Sequence, residues 1–152
     1  VSFKGIKSLL LGENKIGNTG VAAILVNLQG VTKLQLNSNA FEAEALSGIT
    51  NLKHLKMLDI RNNGLGDSCM QFLAQLKQLT ELSISKNSIT DKGVSEVKEL
   101  TELTYLDLTT NLVTDKGAEA LLGLNKLTHL YLMANKVTEN IVPQIFKAMG
   151  NL

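Results

Sequence analysis

Tryptophan is absent from this 152-residue chain, and proline, cysteine and arginine occur once each. Each scarcity excludes something. A single cysteine, Cys69, permits no internal disulfide and fits a reducing, cytoplasmic setting. Arg61 stands alone against fourteen lysines, and the net charge is only +1. The chain therefore lacks the basic footprint and the bidentate donors of a nucleic-acid binder. No apolar run is long enough for a membrane-spanning helix. The opening VSFKGIKSLL has no charged n-region followed by an apolar h-region and cleavage site, so it does not read as a signal peptide. His54 and His129 belong to no HExxH motif and stand beside no cysteine pair, so neither a metal nor a cofactor is expected. No residue set reads as catalytic: Ser83, Asp107 and His129 would fall on separate strands with no oxyanion loop.

What the chain has in excess is leucine and asparagine. That bias calls for a search for internal repeats. The pattern L-x-x-L-x-L-x-x-N occurs six times: IKSLLLGEN (6–14), VTKLQLNSN (31–39), LKMLDIRNN (55–63), LTELSISKN (79–87), LTYLDLTTN (103–111) and LTHLYLMAN (127–135). The matches end at Asn14, Asn39, Asn63, Asn87, Asn111 and Asn135; the first interval is one position longer than the other four, which are equal. Within each match apolar residues alternate, as in Leu106-Asp107-Leu108, which is the period of a strand burying one side. An amide at the end of each match can bond the backbone of a neighbouring coil, so six in register predict a ladder through the stack.

The second half of each unit reads as helix. Thr90 and Thr114 stand where an N-cap belongs, each followed by an aspartate. Val94, Val97 and Leu100 follow at helical spacing, as do Ala118, Leu121 and Leu124. In the third unit Asp67, Met70, Leu73 and Leu76 keep the same spacing. Cys69 aligns with Gly93 and Gly117 and has two readings: a small structural residue, or a thiol whose pKa a helix N-terminus lowers. Residues 138–152 keep the register with Ile141, Ile145 and Met149 on one face and are expected to close the C-terminal end. One domain follows: a short flank (1–5), six repeats (6–137) and this capping helix (138–152). The first strand is expected to be a bare edge, either cut from a longer protein or covered by a second copy through self-association.

The six matches resemble the leucine-rich repeat family over nearly the whole chain. The resemblance implies an α/β fold, a right-handed solenoid with a parallel sheet on the concave face and short helices on the convex face. The 24-residue unit and the phrase ITDKGVSEVKEL are similar to the intracellular, helix-containing classes. Among these are the longer ribonuclease-inhibitor type and leucine-rich repeat effectors of intracellular bacterial pathogens. Internalin-like repeats are expected to differ, being shorter and bearing proline on the convex side.

Stacked strands would place three columns on the concave face. The first runs Ser8, Lys33, Met57, Glu81, Tyr105, His129; the second Leu10, Gln35, Asp59, Ser83, Asp107, Tyr131; the third Gly12, Asn37, Arg61, Ser85, Thr109, Met133. Both tyrosines and the single arginine fall here, residue types enriched at binding hot spots. Tyr105, His129, Tyr131 and Met133 form the expected partner-binding patch. Asp59, Glu81 and Asp107 make an acidic strip beside it, broken by Arg61, with Met57 in the adjoining column. Two other readings stay open: the aromatics serve only cross-strand packing, or the last helix covers Tyr131 and Met133. The expected function is non-enzymatic binding of a protein partner, in the host cytosol if the chain is a translocated bacterial effector. The alternatives are an enzyme regulator, either an inhibitor or a GTPase activator with Arg61 as its only finger, and a fragment of a larger multidomain effector.

Overall fold

The computed structural model describes residues 5–150; the first four residues of the expected flank and the last two of the expected closing helix lie outside them. Six three-residue strands form one parallel sheet in sequence order: β1 (Ser8–Leu10), β2 (Lys33–Gln35), β3 (Met57–Asp59), β4 (Glu81–Ser83), β5 (Tyr105–Asp107) and β6 (His129–Tyr131). The connections are helical. They comprise α1 (Gly17–Asn27), a 3-10 helix (Ala43–Asn51), a 3-10 turn (Asp67–Cys69) running into α2 (Met70–Leu73), α3 (Asp91–Val97), α4 (Asp115–Glu119) and α5 (Val142–Ala148). This is a leucine-rich-repeat type of solenoid, with the sheet inside the arc and the helices outside.

The central residue of each strand points into the stack. Leu34, Leu58, Leu82 and Leu106 are fully buried, and so are Leu36, Ile60, Ile84 and Leu108 two positions on. Their counterparts in the outer repeats, Leu9, Leu11, Leu130 and Leu132, are only half-buried, because each lacks a neighbour on one side. The convex segments complete the core with Val21 and Leu25, Leu46 and Ile49, Met70 and Leu73, Val94 and Val97, and Leu121.

Each strand ends in the same turn. Glu13, Ser38, Asn62, Lys86, Thr110 and Ala134 all have positive φ, between 52° and 60°. This left-handed step swings the next residue, the repeat asparagine, into the stack. The Asn87 side chain shows what it does there. Its carbonyl oxygen accepts from the backbone N–H groups of Asn63 and Leu65, at 3.1 and 3.2 Å. Its amide donates to the carbonyls of Ile60 and Ile84, at 3.0 and 3.1 Å. Asn39, Asn63, Asn111 and Asn135 make bonds of the same kind to the preceding repeat. Among the described residues Asn14, in the first repeat, bonds only Leu11 and Gly12 within its own turn.

A second rail joins the convex side. The Asp67 carboxylate accepts from the Thr90 N–H and hydroxyl at 2.8 and 2.6 Å. Asp91 does the same for Thr114, and Asp115 for Thr138. Each of Thr90 and Thr114 also caps its own helix, accepting from the N–H of Lys92 and Lys116. The glycine of the T-D-K-G phrase serves the same rail. A Cβ on Gly93 would overlap the Asp67 carboxylate, and one on Gly117 that of Asp91. Gly→Ala inside a helix ordinarily stabilises by about 1 kcal/mol. Here the sign is expected to invert: Gly93→Ala should lose about 1–3 kcal/mol by overpacking. Gly123→Ala, with open space around its Cβ, should be neutral or better. Urea unfolding of the two variants checks the contrast.

Partial burial pushes the Asp91 carboxyl up, but the Thr114 hydroxyl and N–H, the Gly117 N–H and Lys116 outweigh it and hold it below its usual 3.8. A depressed folded-state pKa gives stability that is complete above the unfolded value and lost as pH falls through the folded one. The native chain is therefore expected to lose more stability than Asp91→Asn between about pH 5 and pH 2, in urea unfolding across that range.

The convex elements are shorter and tighter than the repeat spacing predicts. Helical periodicity runs over 87–100 and 111–124, whereas the helices span Asp91–Val97 and Asp115–Glu119, and the second repeat is 3-10 throughout Ala43–Asn51. Strands stack about 4.8 Å apart, while α-helices with side chains are about 10 Å wide. Narrower, shorter convex segments reduce that mismatch. The last helix, α5, packs beside α4, and its Ile145 meets the core. Ile141 and Met149 are buried at its two ends, but Val142 and Phe146 are exposed, and a cleft of about 480 Å³ opens between the helix and β6.

Candidate concave binding site

Strand register fixes the face. Ser8, Lys33, Met57, Glu81, Tyr105 and His129 pair in succession across the sheet, and so do Leu10, Gln35, Asp59, Ser83, Asp107 and Tyr131. Backbone bonds from Glu13, Ser38, Asn62, Lys86 and Thr110 to the carbonyls of Asn37, Arg61, Ser85, Thr109 and Met133 align the third column. Alternation does the rest: with Leu106 turned inward, Tyr105 and Asp107 must face outward.

Tyr105 is the centre of an aromatic cluster. Its ring centroid lies 5.4 Å from that of Tyr131 at a 48° tilt, and 6.0 Å from that of His129 at 33°. These are ordinary distances for a stabilising aromatic pair. The Thr128 hydroxyl lies 3.0 Å from His129 Nδ1. Burial raises the Tyr105 phenol pKa, as do Asp107 and Tyr131, with Ser83 and Arg61 opposing. The phenol thus stays protonated and available as a donor. Met133, 62% exposed, stands two residues beyond Tyr131. The last helix covers neither Tyr131 nor Met133 completely: the tyrosine is half-buried and lines the open cleft.

The acidic strip divides. Glu81 is exposed and neighbours Tyr105 in register. Asp107 is half-buried opposite Tyr131, with one carboxylate oxygen accepting from the Thr109 N–H at 2.9 Å. Asp59, expected in the same strip, is instead only 2% exposed. Its two carboxylate oxygens take Arg61 Nε at 2.9 Å and Nη2 at 2.8 Å. The hydrogen bonds that Arg61 donates to Asp59 lift its pKa further, against the cost of desolvation. Arg61 and Asp59 therefore form a closed, neutral pair within one repeat, and Met57 is half-buried on the same strand. Sequence reasoning missed this closure because alternate positions of a strand share one face, but whether their side chains pair depends on rotamers. It also missed Thr128, whose hydroxyl lies against the His129 ring. The Asp–Thr rail had a visible signal, the repeated T-D-K-G, which reads as a cap alone when one repeat is considered.

Cys69 is fully buried, and desolvation together with Asp67 pushes its thiol up to about 12. The activated-thiolate reading is overturned, and the residue packs as a small apolar group. Among the described residues, no group of three or more His, Cys, Asp and Glu side chains is placed to hold a metal ion, and no helix is long and apolar enough to cross a membrane.

A family model described as Leucine rich repeat matches residues 77–137, and a second of that description matches 6–25 and 51–74, together more than half of the chain. The chain is a leucine-rich repeat protein. Among solved structures, it is similar to an internalin from Listeria monocytogenes strain 4b F2365, with 26% identity and a TM-score of 0.65 over 92% of this chain. It is also similar to an internalin C2 from the same strain, with 26% identity and a TM-score of 0.72 over 96% of this chain. The chain spans 45% of the first internalin and 68% of the second. No curated protein matches it. The likeness to internalins covers nearly the whole leucine-rich repeat chain, even though repeat length and a convex side with a single proline were expected to set it apart. Leucine-rich repeat solenoids are interaction modules: stacked units expose an extended concave surface and build no deep pocket.

Proposed function

We propose that this leucine-rich repeat domain is a non-enzymatic module that holds a protein partner on its concave face. Tyr105, His129, Tyr131 and Met133 form the contact centre, flanked by Glu81 and Asp107, with Met57 and the Arg61–Asp59 pair at the margin. The observation that carries the reading is the aromatic cluster around Tyr105, which gathers both tyrosines of the chain on the surface that solenoids use for binding. Partly exposed aromatic side chains supply large contact area at little entropic cost.

The likeness to two Listeria structures supports a bacterial origin, and an effector acting on a host protein is the finer reading it favours. A buried, unreactive Cys69 and the absence of any disulfide requirement fit a reducing cytosol. A GTPase activator is disfavoured, because an arginine finger must reach outward and Arg61 is forked onto Asp59. The test is capture of partners from bacterial and host-cell lysates by the immobilised native chain and by the Tyr105→Ala/Tyr131→Ala variant. A partner held by the native chain and lost by the folded variant supports the concave reading. One held equally by both refutes it.

A further inference from the structure

Two acids beside the aromatic cluster are left without cations. Among the described residues Glu81 makes no ion pair, and Asp107 uses one carboxylate oxygen on Thr109 and leaves the other free. The chain's one guanidinium, Arg61, is forked onto Asp59 by two bonds and forms no ion pair with either acid, although its charge still reaches Asp107. Lys33, in the same column as Glu81, is two strands away. Glu81 stands beside Tyr105, and Asp107 beside Tyr131, in adjoining register positions.

We infer that this corner of the concave face receives an arginine side chain of the protein partner, stacked on the tyrosines and held by Glu81 and Asp107. The inference rests on the concave-face reading and adds the chemistry of the partner. A guanidinium is attracted to the face of an aromatic ring, and its planar fork matches a carboxylate. Arginine suits this arrangement better than lysine, whose compact ammonium neither stacks nor forks. A partner presenting an acidic loop would instead meet two unneutralised carboxylates.

The chain supplies its own reporter. It has no tryptophan and just two tyrosines, both in the cluster, so intrinsic tyrosine fluorescence reads this site alone. The chain is titrated with an acetylated, amidated hexapeptide of alternating glycine and arginine, and with the same peptide carrying citrulline for arginine. Citrulline keeps the shape and loses the charge. A saturable change with the arginine peptide alone is expected, weakened roughly tenfold in Glu81→Gln/Asp107→Asn. That variant keeps both side-chain shapes and should melt with the native chain. Equal response to the two peptides, or unchanged affinity in the variant, would overturn the inference. A captured partner lost by Tyr105→Ala/Tyr131→Ala but fully retained by Glu81→Gln/Asp107→Asn overturns the arginine and leaves the concave reading standing. A partner indifferent to the tyrosines overturns both.

Discussion

Asn87→Ala is expected to remove about 3–5 kcal/mol of stability, a large share of what a domain of this size possesses. The side chain is fully buried and mid-stack, and the methyl that replaces it can neither accept nor donate. Two backbone N–H groups lose their acceptor, that of Leu65 fully buried and that of Asn63 partly so. The carbonyls of Ile60 and Ile84 lose a donor as well. An orphaned buried N–H costs about 1–3 kcal/mol, so the two donors alone carry most of the loss. Asn14→Ala is the matched control. The Asn14 amide is exposed and serves only its own turn, so the loss should stay under about 1 kcal/mol. Urea unfolding of the two variants is the measurement. Equal losses would mean that the amides act through turn conformation and do not couple repeats. An unchanged slope with denaturant would show that the stack still unfolds as one unit, and a lower slope would show that Asn87 is where it divides.

The contrast between these two asparagines also marks how far the sequence could be read. Equal spacing of the repeats is enough to align the strands, because each repeat must return to the same place in the sheet. The concave columns written from spacing alone are therefore the pairing found from Ser8 to His129 and from Leu10 to Tyr131. The additional residue in the first unit falls before Lys33 and leaves that register intact. What spacing cannot report is a side chain's choice among partners. Asp59 and Asp107 occupy equivalent positions, yet one is closed by Arg61 and the other faces outward, because only Arg61 offers a fork two positions on. Nor does periodicity distinguish an α-helix from the 3-10 helix of Ala43–Asn51, where packing width decides between conformers of nearly the same pattern.

Tyr105→Ala/Tyr131→Ala is expected to weaken partner binding by about 2–4 kcal/mol, roughly thirtyfold or more. The same change should cost folding much less. Truncating the pair removes one aromatic contact worth about 0.5–1.5 kcal/mol and some half-exposed ring area, and Leu106 and Leu130 beneath it keep their packing. For a chain of this length that is a fall of a few degrees in melting temperature, about 2–4 °C for each kcal/mol. The two single variants should not add up to the double, because rings 5.4 Å apart share a contact that either truncation destroys. Tyr105→Phe/Tyr131→Phe separates the contributions, keeping the rings and discarding the hydroxyls. Binding retained by the phenylalanine pair would assign the affinity to ring faces, and binding lost would assign it to the phenolic donors. A melting temperature that collapses in the alanine double, with no fall in affinity at temperatures where it remains folded, would return both tyrosines to cross-strand packing. The binding surface would then have to be sought among the convex helices.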